Sequence, residues 1–188
     1  MKKIFPNILG IVFLFSGMIT KGQNPVDIQI NWAAKHTLLN GFTINKTTNI
    51  YRLRSILGKE SRVLAASDNP TKLYIWDSLG INFIIDTTLG VLEKMDVYCI
   101  RGKQDFETSP SKFFTGKLQL NGNQLSLQDS IAHIRQVTDI PFQELNPGFY
   151  WYIATKSEFG VCIAYSNRQR KQISMLYVLF NRDENSEE

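Results

Sequence analysis

A short motif that occurs twice constrains the fold of this 188-residue chain more than any other feature. Leu39-Asn40-Gly41 recurs as Leu120-Asn121-Gly122, and each copy precedes a candidate helix N-cap and the apolar spacing of an amphipathic helix. The N-cap candidates are Asn45 and Ser126, and the apolar stripes are Ile50, Leu53 and Leu57 in the first copy and Ile131, Ile134 and Val137 in the second. Gly58 is placed to end the first helix. The chain is therefore predicted to repeat one structural unit.

Short runs rich in aromatic and β-branched residues follow each helix, which is typical of antiparallel strands. The predicted strands are 61–66, 72–76, 81–86 and 91–100 in the first copy and 142–145, 149–154, 159–165 and 171–180 in the second. The last two strands of each copy align without a gap at an offset of 80 residues. The sequence thus predicts an α+β fold of two tandem units, each a helix packed on an antiparallel β-meander, which can share one curved sheet.

The domain organisation follows from changes in polarity along the chain. We expect a signal peptide in residues 1–22, a first helix-plus-sheet unit in 23–101, a polar linker in 102–112, a second unit in 113–181 and a disordered acidic tail in 182–188.

The amino terminus has the pattern of a secretory signal, with Lys2 and Lys3 before an apolar run over residues 8–19. The segment Thr20-Lys21-Gly22-Gln23 is typical of a cleavage site, and cleavage is expected after Gly22. The alternative is a retained membrane anchor, but the twelve apolar residues are too few to span a membrane. Removing this segment reduces the formal net charge from +4 to +1, since three lysines are lost. We therefore expect an exported protein, periplasmic or secreted, with no membrane span after cleavage and no nucleic-acid partner.

Export permits a disulfide between Cys99 and Cys162, the two cysteines of the chain. The strand pattern places Cys99 on the face of Met95 and Val97, whereas Cys162 alternates with Val161 and Ile163. Opposite faces disfavour a bond, and two separate buried thiols are the alternative.

The pattern NGFTI, IYRLRSILGK, LYIWDSLGINFIID and GVLEKMDVYC resembles the helix and three strands of the small outer-membrane assembly lipoproteins of the BamE type. Tandem copies of that unit form the beta-lactamase inhibitory proteins. The families share a Gly-x-[ST] entry to the helix, which Gly41-Phe42-Thr43 matches and Gly122-Asn123-Gln124 does not. The resemblance implies an exported domain that binds another protein in the envelope or outside the cell.

Catalytic and cofactor motifs are weak throughout the chain. His36 and His133 are the two histidines, and neither has Cys or carboxylate neighbours at metal-ligand spacing. The carboxylates Glu93, Asp77, Asp86 and Asp96 fall near predicted strand ends, which are positions typical of turns and solvated faces rather than of a paired-carboxylate active site. No Walker loop or dinucleotide fingerprint is present. We expect no metal, no cofactor and no catalytic residue.

Aromatic residues crowd the second predicted strand of each copy, as Tyr74-Ile75-Trp76 and Phe149-Tyr150-Trp151-Tyr152. Either a second layer of packing by the linker or the Trp32 segment covers them, or they form an exposed binding surface. The predicted surface consists of Tyr150, Tyr152, Tyr74 and Trp76. The sequence favours a non-catalytic protein-binding module of inhibitor, immunity or envelope-assembly type. The alternative is a hydrolase or small-ligand carrier with a cleft between the two units.

Overall fold

The computed structural model describes residues 25–65, 70–100, 107–146, 148, 150–166 and 172–180. The order of elements is β1 (Asp27–Asn31), β2 (His36–Leu39), β3 (Phe42–Ile44), α1 (Ile50–Leu57), β4 (Arg62–Ala65), β5 (Thr71–Trp76), β6 (Ile81–Asp86), β7 (Val91–Tyr98), β8 (Lys117–Leu120), β9 (Asn123–Gln124), α2 (Ile131–Thr138), β10 (Gln143–Asn146), β11 (Trp151–Lys156), β12 (Phe159–Tyr165) and β13 (Ile173–Leu179).

The strands form two sheets that contribute to one hydrophobic core. The smaller sheet has five strands in the order β3-β2-β1-β8-β9, and β1 and β8 in it are parallel. The larger sheet has eight strands in the order β10-β11-β12-β13-β7-β6-β5-β4, with antiparallel neighbours throughout. Ile28 and Leu120 of the smaller sheet lie in the same buried cluster as Phe83 and Ile163 of the larger one. Burying both sheets in a common core is the usual solution for two one-sided apolar layers.

The predicted α+β fold of two tandem helix-plus-sheet units is wrong. Each helix has eight residues and buries two side chains, namely Leu53 and Leu57 in α1 and Ile134 and Thr138 in α2. Such short helices cannot cover the apolar face of a meander, and a second sheet supplies the missing layer. Because β1 pairs with β8 and β7 with β13, both sheets combine strands from the two halves of the chain. The expected likeness to the assembly lipoproteins and the beta-lactamase inhibitory proteins is therefore also wrong.

The structure confirms the predicted end of the first helix and corrects the predicted start of both helices. Gly58 ends α1 with a φ of 80°, and its N–H donates to the carbonyl of Arg54. The N-caps, however, are Asn49 and Ser130, each four residues after the predicted position. Asn45 and Ser126 instead begin a turn that leads into the helix.

These two turns close in a similar way. The N–H of Asn45 donates to Thr48 Oγ1 at 2.9 Å, and the N–H of Ser126 donates to Asp129 Oδ2 at 2.7 Å. Val137, predicted to belong to the apolar stripe of α2, is exposed. The stripe is thus displaced by one residue, to Thr138.

Several predicted segments lie outside the described residues. They are the signal peptide, residues 102–106 of the polar linker and the acidic tail. Within the described part of the chain, no helix is long and apolar enough to cross a membrane.

Candidate binding surface

The eight-stranded sheet has two faces of different character. One face carries the side chains of the hydrophobic core, and we call the opposite face the outer face. Directly paired residues share a face, so the strand register traces one row across all eight strands of the outer face. In order, this row is Gln143, Ile153, Cys162, Tyr177, Asp96, Asn82, Ile75 and Arg62.

Residues 107–114 lie over the β4–β7 side of the outer face. Arg62 donates from Nη1 to the carbonyl of Glu107 at 3.0 Å and from Nη2 to that of Ser109 at 2.8 Å. Asn82 donates from Nδ2 to the carbonyl of Thr108 at 3.1 Å, and the N–H of Phe114 donates to the carbonyl of Tyr98 at 2.8 Å. This segment includes the end of the predicted linker and covers the outer face where Ile75 lies.

Two of the predicted binding residues, Tyr74 and Trp76, lie in the core. Trp76 is 1% exposed and Tyr74 is 7% exposed. The Trp76 ring packs edge-on against Phe83, with ring centroids 5.4 Å apart, and its Nε1 donates to the carbonyl of Gly58 at 3.0 Å. Their strand parity therefore directs both rings toward the core.

The other two, Tyr150 and Tyr152, are half-buried beside α2. Tyr152 lies opposite Ile163, on the core side, and packs edge-on against Tyr165 at 5.8 Å. The guanidinium carbon of Arg135 lies 5.8 Å from the Tyr152 ring centroid. Four strands separate β11 from β5 in the sheet, a spacing of about 24 Å. The structure thus does not bring the four predicted residues together.

Trp151 is the aromatic residue that sequence reasoning missed. It is 39% exposed on the outer face, and its ring centroid lies 5.7 Å from that of Tyr177. Leu145, at the bulge of β10, is 49% exposed beside it. Tyr150 has a φ of 56° and precedes β11, so the strand starts at Trp151 with the opposite parity from the predicted one. We call Leu145, Trp151, Ile153 and Tyr177 the Trp151 surface.

A groove of about 300 Å³ lies at the edge of this surface. It is lined by Pro141, Gln143, Glu144, Leu145, Ile153, Ala154 and Thr155. Because β10 is the last strand of the sheet, one side of its backbone has no neighbouring strand in the described part of the chain. The Trp151 surface therefore combines an exposed indole, aliphatic side chains and an open strand edge.

On β7, the strand next to that of Tyr177, the outer face carries the polar side chains of Lys94 and Asp96. Asp96 is 4% exposed, and burial raises the pKa of its carboxyl to about 6 against the opposing effect of Lys94. Lys94 Nζ forms an ion pair with Asp96 Oδ1 at 3.1 Å, and this oxygen accepts no well-aligned hydrogen bond from the described residues. The same ammonium lies 4.7 Å from the Tyr177 ring centroid. This lysine partly compensates a buried charge and packs on an aromatic ring that supports Trp151.

The two cysteines lie on opposite faces of the eight-stranded sheet. Cys99 belongs to the core cluster, whereas Cys162 lies opposite Tyr177 on the outer face. Both are free thiols. Burial raises the pKa of Cys99 to about 12 and that of Cys162 to about 11, so little thiolate is present near neutral pH.

The remaining candidates for chemistry occupy ordinary structural positions. His36 is half-buried in β2, and His133 is exposed on α2. Asp77 pairs with Arg62, and Asp86 Oδ1 accepts the N–H groups of the turn that follows β6. Glu93 is half-buried in β7. Among the described residues, no group of three His, Cys, Asp or Glu side chains is arranged to hold a metal ion.

Comparison with known proteins finds a matching family and a distant similarity to a solved structure. The family described as Domain of unknown function (DUF7738) matches residues 28–135, from β1 into α2. The crystal structure of a cysteine-rich secretory protein from Staphylococcus aureus subsp. aureus Mu50 is similar with a TM-score of 0.46 and 15% identity over 70% of this chain. That similarity covers 43% of the other protein, so this chain spans less than half of its length. No curated protein matches the chain.

Proposed function

We propose that this chain, which belongs to the DUF7738 family of domains of unknown function, is an exported, non-catalytic module that binds another protein. The partner docks on the Trp151 surface. The observation that carries the proposal is the 39% exposure of Trp151 on an outer face whose other aromatic rings are mostly buried. Tryptophan dominates the binding energy of many protein interfaces, and Trp151 together with the exposed Leu145 forms a contiguous apolar patch of the kind that marks such interfaces.

The surroundings of Trp151 support a protein partner over catalysis. The ring packs against Tyr177, whose ring is also in contact with the Lys94 ammonium, so the indole is presented on a packed support. Leu145 and the groove along β10 extend the contact area beside it. The nearby ionisable groups serve structural pairs, Lys94 with Asp96 and Arg62 with Asp77, and the Cys162 thiol is buried.

Site-specific photocrosslinking tests the docking surface. Leu145 is replaced by p-benzoylphenylalanine, and the full-length protein is irradiated in the cells that naturally express it. The matched control places the same residue at Tyr51, which is 75% exposed on α1, away from the outer face. We expect one discrete protein adduct from position 145 and a lower yield from position 51.

A second variant distinguishes a docking surface from random collision. Trp151→Ala, added to the position-145 protein, should reduce the adduct at least about tenfold, because truncating a central aromatic residue costs more than 1.4 kcal/mol of binding. Equal yields at positions 145 and 51, or an adduct unaffected by Trp151→Ala, would overturn the proposal. The identity of the captured protein then distinguishes inhibitor, immunity and envelope-assembly types.

Export, the other part of the proposal, rests on the amino-terminal pattern of residues 1–22. We expect the mature chain to begin at Gln23 and to be recovered from the periplasm or the medium. Intact-mass measurement of the protein purified from each fraction checks this. A chain that keeps Met1 and stays in the cytoplasm would refute export while leaving the docking surface testable.

A further inference from the structure

A cleft of about 310 Å³ lies at one end of the molecule, where segments connected to the two sheets meet. It is lined by Lys35, Asn45, Lys46, Thr47, Ser157, Glu158, Phe159 and Phe180. Lys35 belongs to the β1–β2 turn, and residues 45–47 connect β3 to α1, so one wall comes from the smaller sheet. Ser157 and Glu158 form the β11–β12 turn and supply the wall from the larger sheet. We call this site the Phe159 cleft.

Aromatic rings form the base of the Phe159 cleft. Phe159 and Phe180 are buried and pack edge to face, with centroids 6.2 Å apart. Trp32 extends this cluster, with its ring centroid 6.1 Å from that of Phe159. The base is thus an apolar surface whose rings are fixed by one another.

Polar cross-links join the two walls. Lys46 Nζ donates to Glu158 Oε2 across the cleft. Lys156 Nζ donates to the carbonyl of Ala33 at 3.4 Å and thereby ties the β11–β12 hairpin to the β1–β2 turn. These contacts fix the spacing of the two walls, so a ligand meets a largely formed site.

The rim of the cleft is positively charged. Among the described residues that line the cleft, Glu158 is the one carboxylate, and Lys46 already pairs with it. Within the described ranges, neither Lys35 nor Lys156 has a carboxylate partner. A ligand anion beside these lysines would interact in a medium of lower effective dielectric than water, because one side of it faces buried aromatic rings.

We infer that the Phe159 cleft binds a small amphipathic anion, a carboxylate or sulfonate attached to an aromatic ring system. The ring packs on Phe159 and Phe180, and the anionic group lies beside Lys35. The volume of about 310 Å³ is at the lower end of small-molecule sites, which suits a ligand of one or two fused rings. This site is separate from the Trp151 surface and does not depend on the proposed protein partner.

Fluorescence titration with 1-anilinonaphthalene-8-sulfonate tests the inference, and uncharged 1-anilinonaphthalene serves as the comparison probe. We expect one sulfonate to bind per folded protein. Lys35→Glu should weaken it at least about tenfold, because the variant replaces attraction by repulsion at short range. The uncharged probe should respond less than twofold to the same substitution.

Lys117→Glu is the matched control, since Lys117 is an exposed lysine of β8 outside the cleft lining. It should leave the affinity for the sulfonate within about twofold. Near-UV circular dichroism confirms that each variant keeps its tertiary packing. Equal weakening by Lys35→Glu and Lys117→Glu, a stoichiometry above one, or no saturable binding would overturn the inference.

Discussion

Asp96 lies directly opposite Asn82 across the β6–β7 pair, and each has a buried side-chain oxygen that accepts no well-aligned hydrogen bond from the described residues. Asn82 uses its amide nitrogen for Tyr98 Oη at 3.2 Å and for the carbonyl of Thr108. Two buried acceptors therefore lie on the same face in the middle of the sheet, and the Lys94 ammonium lies 3.1 Å from the Asp96 oxygen. An ionised carboxylate in this position reduces stability, because burial removes its hydration and the lysine restores only part of it.

The first prediction is that Asp96→Asn stabilises the protein at neutral pH. The folded-state pKa of Asp96 is raised to about 6 from an ordinary value of 3.8, so the folded state binds more protons between these values. The free energy of unfolding should therefore fall as pH rises from about 4 to about 6. At pH 7, ionisation of the buried Asp96 lowers the free energy of unfolding by about 3 kcal/mol, and the neutral asparagine avoids this loss.

Urea unfolding of the wild type and of Asp96→Asn at pH 4, 5, 6 and 7 measures this effect. The gain in stability should be small at pH 4 and largest at pH 7. Asp86→Asn is the control, because Asp86 accepts turn N–H groups at the end of β6 and an asparagine oxygen can do the same. A gain independent of pH would contradict the assignment to Asp96.

The second prediction compares two glycines that have the same backbone conformation. Gly80 and Gly90 have φ values of 70° and 68°. A Cβ at Gly80 would lie 2.2 Å from the backbone nitrogen of Phe114, whereas a Cβ at Gly90 would have no neighbour within 4 Å. Gly90→Ala should cost about 1 kcal/mol for the left-handed conformation alone. Gly80→Ala should cost at least about 3 kcal/mol more, because residues 113–114 must move away from the sheet.

Denaturant midpoints of the two alanine variants provide the comparison. Similar losses of unfolding free energy at the two positions would show that the backbone of residues 113–114 does not lie against Gly80 in solution.

Local structure could be read from the sequence to a considerable extent. Both Asn-Gly pairs adopt positive φ, with 50° and 80° at Asn40-Gly41 and 49° and 80° at Asn121-Gly122, as turn residues of this type do. The predicted strand 81–86 agrees with β6 residue for residue. These features depend on neighbours in the chain, and the amino-acid pattern determines them directly.

The layer arrangement could not be read in the same way. The parallel pairing of Ile28 with Leu118 joins segments about 90 residues apart, and nothing in either strand specifies the other. Both short helices have an apolar stripe. The stripe shows that each helix packs on a core, but not whether a helix or a second sheet covers the apolar face of the antiparallel strands.

The candidate surface was missed for a related reason. β11 has aromatic or aliphatic side chains on both faces, so its alternation does not show which face is buried. The positive φ of Tyr150 fixes where β11 begins, and this turn directs Trp151 outward and Tyr152 toward Ile163. A one-residue change in the start of a strand exchanges its two faces.

The third prediction concerns the contact between Arg62 and the segment over the outer face. Arg62 binds both oxygens of Asp77 at 2.9 Å and also donates to two carbonyls of residues 107–109. Arg62→Lys keeps the charge but cannot form the same fork of hydrogen bonds, so it should lose about 2 kcal/mol of stability. The control Arg52→Lys, on an exposed arginine stacked on Phe42, should change stability by less than about 0.5 kcal/mol. Thermal unfolding of both variants checks the difference, and equal losses would contradict a positioning role for Arg62.

The last prediction concerns the reactivity of the two thiols. Burial raises the pKa of Cys99 to about 12 and that of Cys162 to about 11, and thiolate is the reactive form. Neither thiol should react with 5,5′-dithiobis(2-nitrobenzoic acid) at pH 8 until the protein unfolds. Two thiols should then react in 6 M guanidinium chloride, because Cys99 and Cys162 lie on opposite faces of the sheet and are not bonded. Ser55→Cys, an exposed site on α1, is the positive control and should react at once. Rapid reaction of a native thiol would place that cysteine outside the packed sheet, and the absence of thiols after denaturation would show a disulfide that requires different strand faces.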